Sequence, residues 1–192
     1  MNKSTGKERV YVAMSGGVDS SAAALLLEKA TPNNFEKLFG RPTPKGFRGY
    51  DVVGAHIICW EGCDNAKDRH DARRVAVRLG IPFKVFDFRK EYRASVFDYM
   101  IREYAAGRTP NPDVMCNREI KFGIFLERAL AGGADFVATG HYVRKVQNSN
   151  IENQSDSVKF EILEAKDKTK DQSYFLWSLT NEQLSRSLFP IG

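Results

Sequence analysis

No apolar run in the chain approaches the roughly 20 residues that span a bilayer, and no secretory signal stands at the Met1 end, so neither a membrane protein nor a secreted one is expected. Cysteine is scarce. Cys59, Cys63 and Cys116 are the complete set, too few and odd in number for a disulfide framework, which points to a reducing, cytoplasmic compartment. Cys59 and Cys63 lack the second cysteine or histidine pair that a zinc site calls for and are taken as loop residues. Charge of one sign is not in large excess either: a net +5 permits an acidic partner such as RNA without selecting one. The 192 residues, 42% of them hydrophobic, suit one α/β domain with its own core, or part of a longer protein.

What the chain does have is a glycine-rich loop, Ala13-Met14-Ser15-Gly16-Gly17-Val18-Asp19-Ser20 followed by Ser21, set between the apolar run Val10 to Val12 and an alanine/leucine helix. It lacks the Gly-Lys-Ser/Thr of a P-loop and the Gly-x-Gly-x-x-Gly of a dinucleotide fold. At a strand-to-helix turn, Gly16 and Gly17 with φ > 0 would bring backbone N–H groups close to an anion, with the hydroxyls of Ser15, Ser20 and Ser21 as further donors and the helix N-terminus adding positive potential. Asp19 inside a phosphate loop is repulsive unless a divalent cation intervenes, which suggests a Mg²⁺-bound nucleotide. An ordinary glycine turn with Asp19 as N-cap is the alternative, and the length of the whole string weighs against it.

Taken in order, the pattern predicts a helix from about Ser20 to Ala30, apolar all round; a Pro- and Gly-bearing surface insertion over Thr31 to Tyr50; a strand over Asp51 to Ile58; a loop over Cys59 to Lys67; a helix through Ala72, Val75, Ala76 and Leu79; and a strand over Phe83 to Phe88. An aromatic-rich helix follows over Glu91 to Ala106, with Tyr92, Phe97, Tyr99 and Tyr104 assigned to the core. After the Gly107 to Cys116 loop, Asn117 caps a helix that Gly132-Gly133 stops, and Asp135 to Thr139 forms a fourth parallel strand. Val143 to Val146 and Val158 to Leu163 read as a hairpin with a polar tip at Gln147 to Ser157, then come a charged turn at Lys166 to Lys170 and short helices at Asp171 to Leu179 and Asn181 to Ser187. The strand–helix alternation requires right-handed parallel crossovers, and ligands in such sheets bind beyond the carboxyl ends of the strands.

The sharpest string is Gly107-Arg-Thr-Pro-Asn-Pro-Asp-Val-Met-Cys-Asn-Arg-Glu-Ile-Lys-Phe122. Pro110 and Pro112 stiffen the backbone around Asn111 and Asp113. Cys116, placed just before a helix and near Arg118 and Lys121, is set up to be a thiolate. A small buried hydrophobe is the alternative for an isolated cysteine.

The Ala13 to Ser20 loop resembles the PP-loop of the ATP pyrophosphatases, which split ATP between the α and β phosphates to adenylate a substrate. The Gly107 to Phe122 string resembles the catalytic loop of the bacterial tRNA-specific 2-thiouridylases and their mitochondrial counterparts, as do Gly133 to Tyr142, the Lys170 to Leu176 run and the closing Leu188 to Gly192. The resemblance implies a doubly wound parallel α/β sheet of the adenine nucleotide alpha hydrolase type, with a short C-terminal hairpin and helices. It also implies ATP and Mg²⁺ as cofactors, and as partners a tRNA carrying a wobble uridine and a persulfide sulfur-donor protein.

Carried across, Ala13, Met14, Ser15, Gly16, Gly17, Val18, Asp19, Ser20, Ile57 and Gly140 would contact ATP. Asn111, Pro112 and Asp113 would meet the uridine, with Asp113 as acid/base; Cys116 would be the nucleophile; His141, Lys170, Asp171 and Gln172 would touch tRNA. Read without the family, His141 is equally a satisfied strand-end residue and Lys170-Asp171 a solvated turn. Ile57 departs from an expected methionine, a mild change for a side chain packing on adenine. The family's persulfide-bearing cysteine, its central domain and its C-terminal β-barrel have no counterpart in these residues, so a truncated catalytic domain is expected. Two rivals stand beside this reading: another PP-loop ATP-dependent ligase, and a non-catalytic ATP- or RNA-binding fragment.

Overall fold

Val10, Tyr11 and Val12 are all within 2% of complete burial, which marks their strand as central and covered on both faces. The structure, a computed structural model, describes residues 6–39, 42–60, 65–148 and 159–192. The central strand, β1 (Glu8–Ala13), pairs in parallel with β2 (Tyr50–Ile58) on one side and β4 (Phe136–Ala138) on the other; β3 (Phe83–Asp87) extends the β2 side. Helices α1 (Val18–Lys29) and α3 (Asn65–Leu79) supply the crossovers. Among the described residues the sheet has five parallel strands in the order β3-β2-β1-β4-β7, so the winding reverses between β1 and β4. The loops after those two strands therefore face each other across the crevice where such sheets bind ligands.

The expected doubly wound parallel sheet is present, with four corrections of detail. A fifth strand, β7 (Ser187–Leu188), pairs in parallel with β4, where a helix through Ser187 was expected; α8 (Asn181–Ser185) stops short of it. Two residues carry no period, so only the tertiary pairing defines that strand. The expected helix over Asp171 to Leu179 is a single 3-10 turn, Ser173–Phe175. Helix α1 buries one side only, through Ser20, Ala23, Ala24 and Leu27, while Val18 and Leu25 are exposed. The aromatic-rich segment, α4 (Arg89–Tyr92), a π-helical turn (Arg93–Phe97) and α5 (Asp98–Ala105), buries Val96, whereas Tyr104 is 55% exposed and Phe97 stacks on Trp60 with ring centroids 4.9 Å apart. The hairpin is present as β5 (Val143–Asn148) and β6 (Lys159–Glu164), antiparallel; most of its predicted tip, and Cys63, lie outside the described residues.

The largest correction concerns the segment read as a surface insertion. Phe35, at the head of the short helix α2 (Phe35–Phe39), is fully buried, and its ring packs 4.7 Å from both Phe39 and Phe47, with Phe47 4.9 Å from Tyr50. The four rings join the same apolar cluster as Val10, Val12 and Leu27. Prolines and glycines shape this loop, but its aromatics close one end of the core. Phe35→Ala is accordingly expected to cost about 3–5 kcal/mol in urea unfolding. A cost no larger than that of an average surface substitution would return the segment to the surface.

Candidate nucleotide and thiol site

The loop after β1 is held from within. Met14 N–H donates to Ala55 O at 2.7 Å, continuing the β1–β2 ladder, and His56 Nδ1 lies 2.9 Å from Met14 O. Ser15 N–H donates to Ser20 Oγ, and the hydroxyls of Ser20 and Ser21 donate to Gly17 O at 3.2 and 2.7 Å. Those two hydroxyls therefore brace the loop instead of standing ready as anion donors. Gly17, the N-cap of α1, has φ −77° and ψ 168°, so only Gly16 adopts the left-handed conformation, at φ +88°. A Cβ on Gly16 would sit 2.6 Å from the backbone oxygen of Asp68 in α3, whereas one on Gly17 would meet Ser15 Oγ at an ordinary 3.4 Å. No side chain caps α1, which leaves its first N–H groups and its positive dipole end open toward an anion.

Across the crevice, the chain leaves β4 through Thr139, Gly140 and His141. Gly140 packs so tightly on the first turn of α1 that a Cβ would lie 2.6 Å from Ser20 N. Between the two loops lies a cavity of about 270 Å³, lined by Ala13, Met14, Ser15, Asp19, Ser20, Ile57 and Gly140 together with Cys59, Lys121, Thr139, His141 and Gln172. Seven of the ten residues assigned to the nucleotide thus meet in one place, and Gly16, Gly17 and Val18 shape the turn beside it. A larger groove, about 390 Å³, runs between Leu27, Tyr50 and Lys145 but holds none of this chemistry.

Two of the residues expected to touch tRNA, His141 and Gln172, line this cavity. His141 is buried, its Nδ1 2.7 Å from Thr139 Oγ1 and its ring against Phe122. Burial first, and then the charge of Lys121, push its pKa down to about 3, so the imidazole is neutral at physiological pH. Gln172 lines the cavity and accepts from Tyr142 N–H through Oε1 at 3.1 Å. Asp171 accepts from Ala165 N–H and the Ser173 hydroxyl, bonds that hold its carboxyl below the usual range. Lys170 is exposed, as an RNA contact would require. Tyr142 donates its hydroxyl to Asp19 Oδ1 at 2.9 Å, and that bond raises the phenol's pKa.

The second signature folds differently from the expectation. The helix begins at Pro112, not Asn117: Asn111 is the N-cap, its Oδ1 accepting from Asp113 and Val114 N–H, both at 3.2 Å. From α6 (Pro112–Met115) the helix runs on through a π-helical stretch (Cys116–Ile124) into α7 (Phe125–Ala131). Asn117 is buried inside it, donating to Phe175 O at 3.4 Å. Cys116 therefore sits a full turn past the helix start, and Arg118 is paired with Glu119 at 2.7 Å. The thiol's pKa is nevertheless lowered to about 7, chiefly by its hydrogen bond with Cys59, with help from the Lys121 charge and against the opposing effects of burial and Asp113. Asn111 and Asp113 are exposed at the helix start.

The residue missed by sequence reasoning is Cys59. Taken as a loop position, it lines the cavity and contacts Cys116 from a strand far away in sequence. Its place at the carboxyl end of β2 was the available signal. Lys121→Gln is expected to move the pH midpoint for iodoacetamide alkylation of Cys116 upward from about 7 toward that of an ordinary thiol, since the lysine charge favours thiolate. An unmoved midpoint would remove Lys121 from the account.

The sequence profile of the tRNA methyl transferase HUP domain matches residues 8–192. The chain belongs to this family. Curated relatives of this HUP domain include proteins named tRNA-specific 2-thiouridylase MnmA from Nitrosomonas eutropha, 48% identical over 97% of this chain and 46% of the relative, and from Flavobacterium johnsoniae, 46% identical over 96% and 43%. One from Bacillus thuringiensis is 43% identical over the whole chain and 46% of its own length. The HUP domain chain thus spans somewhat less than half the length of the curated relatives it matches. Among its described residues no helix is long and apolar enough to cross a membrane.

Proposed function

We propose that this HUP domain activates uridine in tRNA with ATP for replacement of the C2 oxygen by sulfur, the wobble uridine being the target. The observation that carries the reading is that one cavity joins an uncapped helix N-terminus and its glycine turn to a wall containing Cys59, the hydrogen-bond partner of Cys116. The names of the relatives support the choice of substrate and product.

The first N–H groups of α1 and the Ser15 to Gly17 backbone hold the phosphates, and Ile57 offers an apolar wall for adenine. Asp19 faces the same cavity and is the residue suited to hold Mg²⁺, whose charge would offset the phosphates when bound. Lys121 adds a positive charge, and neutral His141 can hydrogen-bond without adding another. The uridine O2 attacks the α-phosphorus, pyrophosphate leaves, and C2 becomes open to a sulfur nucleophile. Asp113, exposed at the head of α6, serves as acid/base toward the base, and Asn111 and Pro112 fix its position. Cys116, half ionised near neutrality, is the nucleophilic thiol of the sulfur-transfer step and acts on sulfur brought as a persulfide from a donor protein. Exposed Lys170 meets the tRNA backbone.

The test uses the purified chain with ATP, Mg²⁺, an unmodified tRNA transcript and inorganic sulfide in place of the persulfide donor. ATP-dependent 2-thiouridine in the digested RNA, detected by mass spectrometry and matched by AMP, is the expected result. Conversion of ATP to ADP, with no 2-thiouridine, would exclude the proposal.

A further inference from the structure

Single exposed apolar side chains are ordinary on a protein surface; two large aromatics on one face of a fixed turn are not. Among the described residues the most exposed aromatics are Trp177, at 75%, and Tyr174, at 59%. Their spacing fits the local backbone. Phe175 N–H donates to Gln172 O, Leu176 N–H to Ser173 O and Leu179 N–H to Leu176 O, a run of i to i+3 bonds that sets every third side chain on one face. Exposure follows that period: Tyr174, Trp177 and Thr180 are open, while Leu176 is buried and Phe175 and Leu179 pack against the apolar cluster that holds Tyr11 and Phe125. The Tyr174 ring rests on the Phe175 ring, centroids 4.1 Å apart, so it is backed from inside and open outward.

The turn is tied to both halves of the candidate site. Gln172, two residues before Tyr174, lines the cavity; its N–H donates to Tyr142 O at 3.0 Å and its Oε1 accepts from Tyr142 N–H at 3.1 Å. Phe175 O accepts from Asn117, in the helix that begins at Pro112 and carries Cys116. Cations precede the aromatics: Lys166, Lys168 and Lys170 are exposed, against Asp167, whose carboxylate is taken up by Thr169, and Glu164, 3.6 Å from Lys168. A wobble uridine lies in a single-stranded loop, and a base drawn from that loop into a cavity leaves its neighbours unstacked.

We propose that Tyr174 and Trp177 form a stacking platform for the unpaired bases that flank the target uridine. The proposal rests on the reading above that the RNA is thiolated at a uridine in such a loop, and it adds where the neighbouring bases go. Aromatic faces accept any base, so the platform supplies affinity and position and leaves the choice of base to the cavity. Lys168 and Lys170 meet the phosphates of the same segment, a charge match that an apolar protein surface would not provide.

The test uses the purified chain with Trp60→Phe, which leaves Trp177 as its one tryptophan. The probes are an unmodified anticodon stem-loop transcript and a fully paired RNA duplex of equal phosphate count. Saturable quenching of Trp177 fluorescence is expected with the stem-loop, and little with the duplex. In gel shifts, Tyr174→Ala and Trp177→Ala should each lower stem-loop affinity by about tenfold, the loss that one stacked base brings. Tyr174→Phe and Trp177→Phe should keep most of the affinity, and Mg·ATP binding should be unchanged in all of these variants. Quenching of equal size by the duplex, or alanine variants that bind the stem-loop as tightly as their parent, would overturn the platform while leaving the proposed function standing. Fluorescence that changes with chain concentration and not with RNA would assign this face to a second copy of the chain and refute the proposal. A stem-loop that fails to bind at all, to a chain whose circular dichroism is unchanged, would count against the proposed function itself.

Discussion

A chain carrying Gly16→Val is expected to lose Mg·ATP affinity by about a hundredfold or more in titration calorimetry, since strain at positive φ of order 1–3 kcal/mol for a β-branched residue is added to a steric clash. The clash is specific: the new Cβ would lie 2.6 Å from the Asp68 backbone oxygen, so either the loop or the head of α3 has to move. Gly17→Val is the matched control, because Gly17 has an extended backbone and a Cβ there finds only an ordinary 3.4 Å contact. Its affinity should fall far less. Equal losses in the two variants would mean that bulk near the cradle, and not the conformation of Gly16, decides binding.

Replacing Cys116 by serine is expected to lower 2-thiouridine formation from a persulfide donor by about three orders of magnitude or more, because a serine hydroxyl neither ionises near neutrality nor attacks sulfur as a thiolate does. ATP binding should be unchanged, since Cys116 does not line the cavity. In the unsubstituted chain the rate should rise with pH through about 7 and then level, following the thiolate. The sign follows from the cause: the Cys59 hydrogen bond stabilises the charged form, so the reactive species is populated above the lowered pKa and lost below it. A serine variant that retains full thiolation, or a rate that falls with pH through the same range, would remove Cys116 from the chemistry.

The sheet was legible because its signals are local. Val10 to Val12, Asp51 to Ile58 and Phe83 to Phe88 are short apolar runs bounded by turns, and the cradle is a single contiguous string. Long-range contacts were not legible. Nothing in the sequence near Cys59 announces Cys116, and their pairing depends on where the fold sets the end of β2 against the Pro112 helix. The same holds for Phe35, Phe47 and Tyr50: a Pro- and Gly-rich stretch reads as surface, but burial depends on what lies beneath it. His141, which the sequence alone leaves equally readable as a satisfied strand-end residue, is kept inside by the packing of Phe122 and Thr139. Asn111 was found for its position and misread in its local duty, since a polar side chain two residues before a free N–H is captured as a cap.

ATP–pyrophosphate exchange by the purified chain, with and without an unmodified tRNA transcript, measures the central claim most directly, because only reversible adenylation of the RNA returns labelled pyrophosphate to ATP. Exchange is expected with a transcript carrying uridine at the wobble position and not without it. It should be abolished by Gly16→Val and retained by Cys116→Ser, since sulfur enters only after activation. Exchange independent of RNA, or release of ADP in its place, would contradict the account.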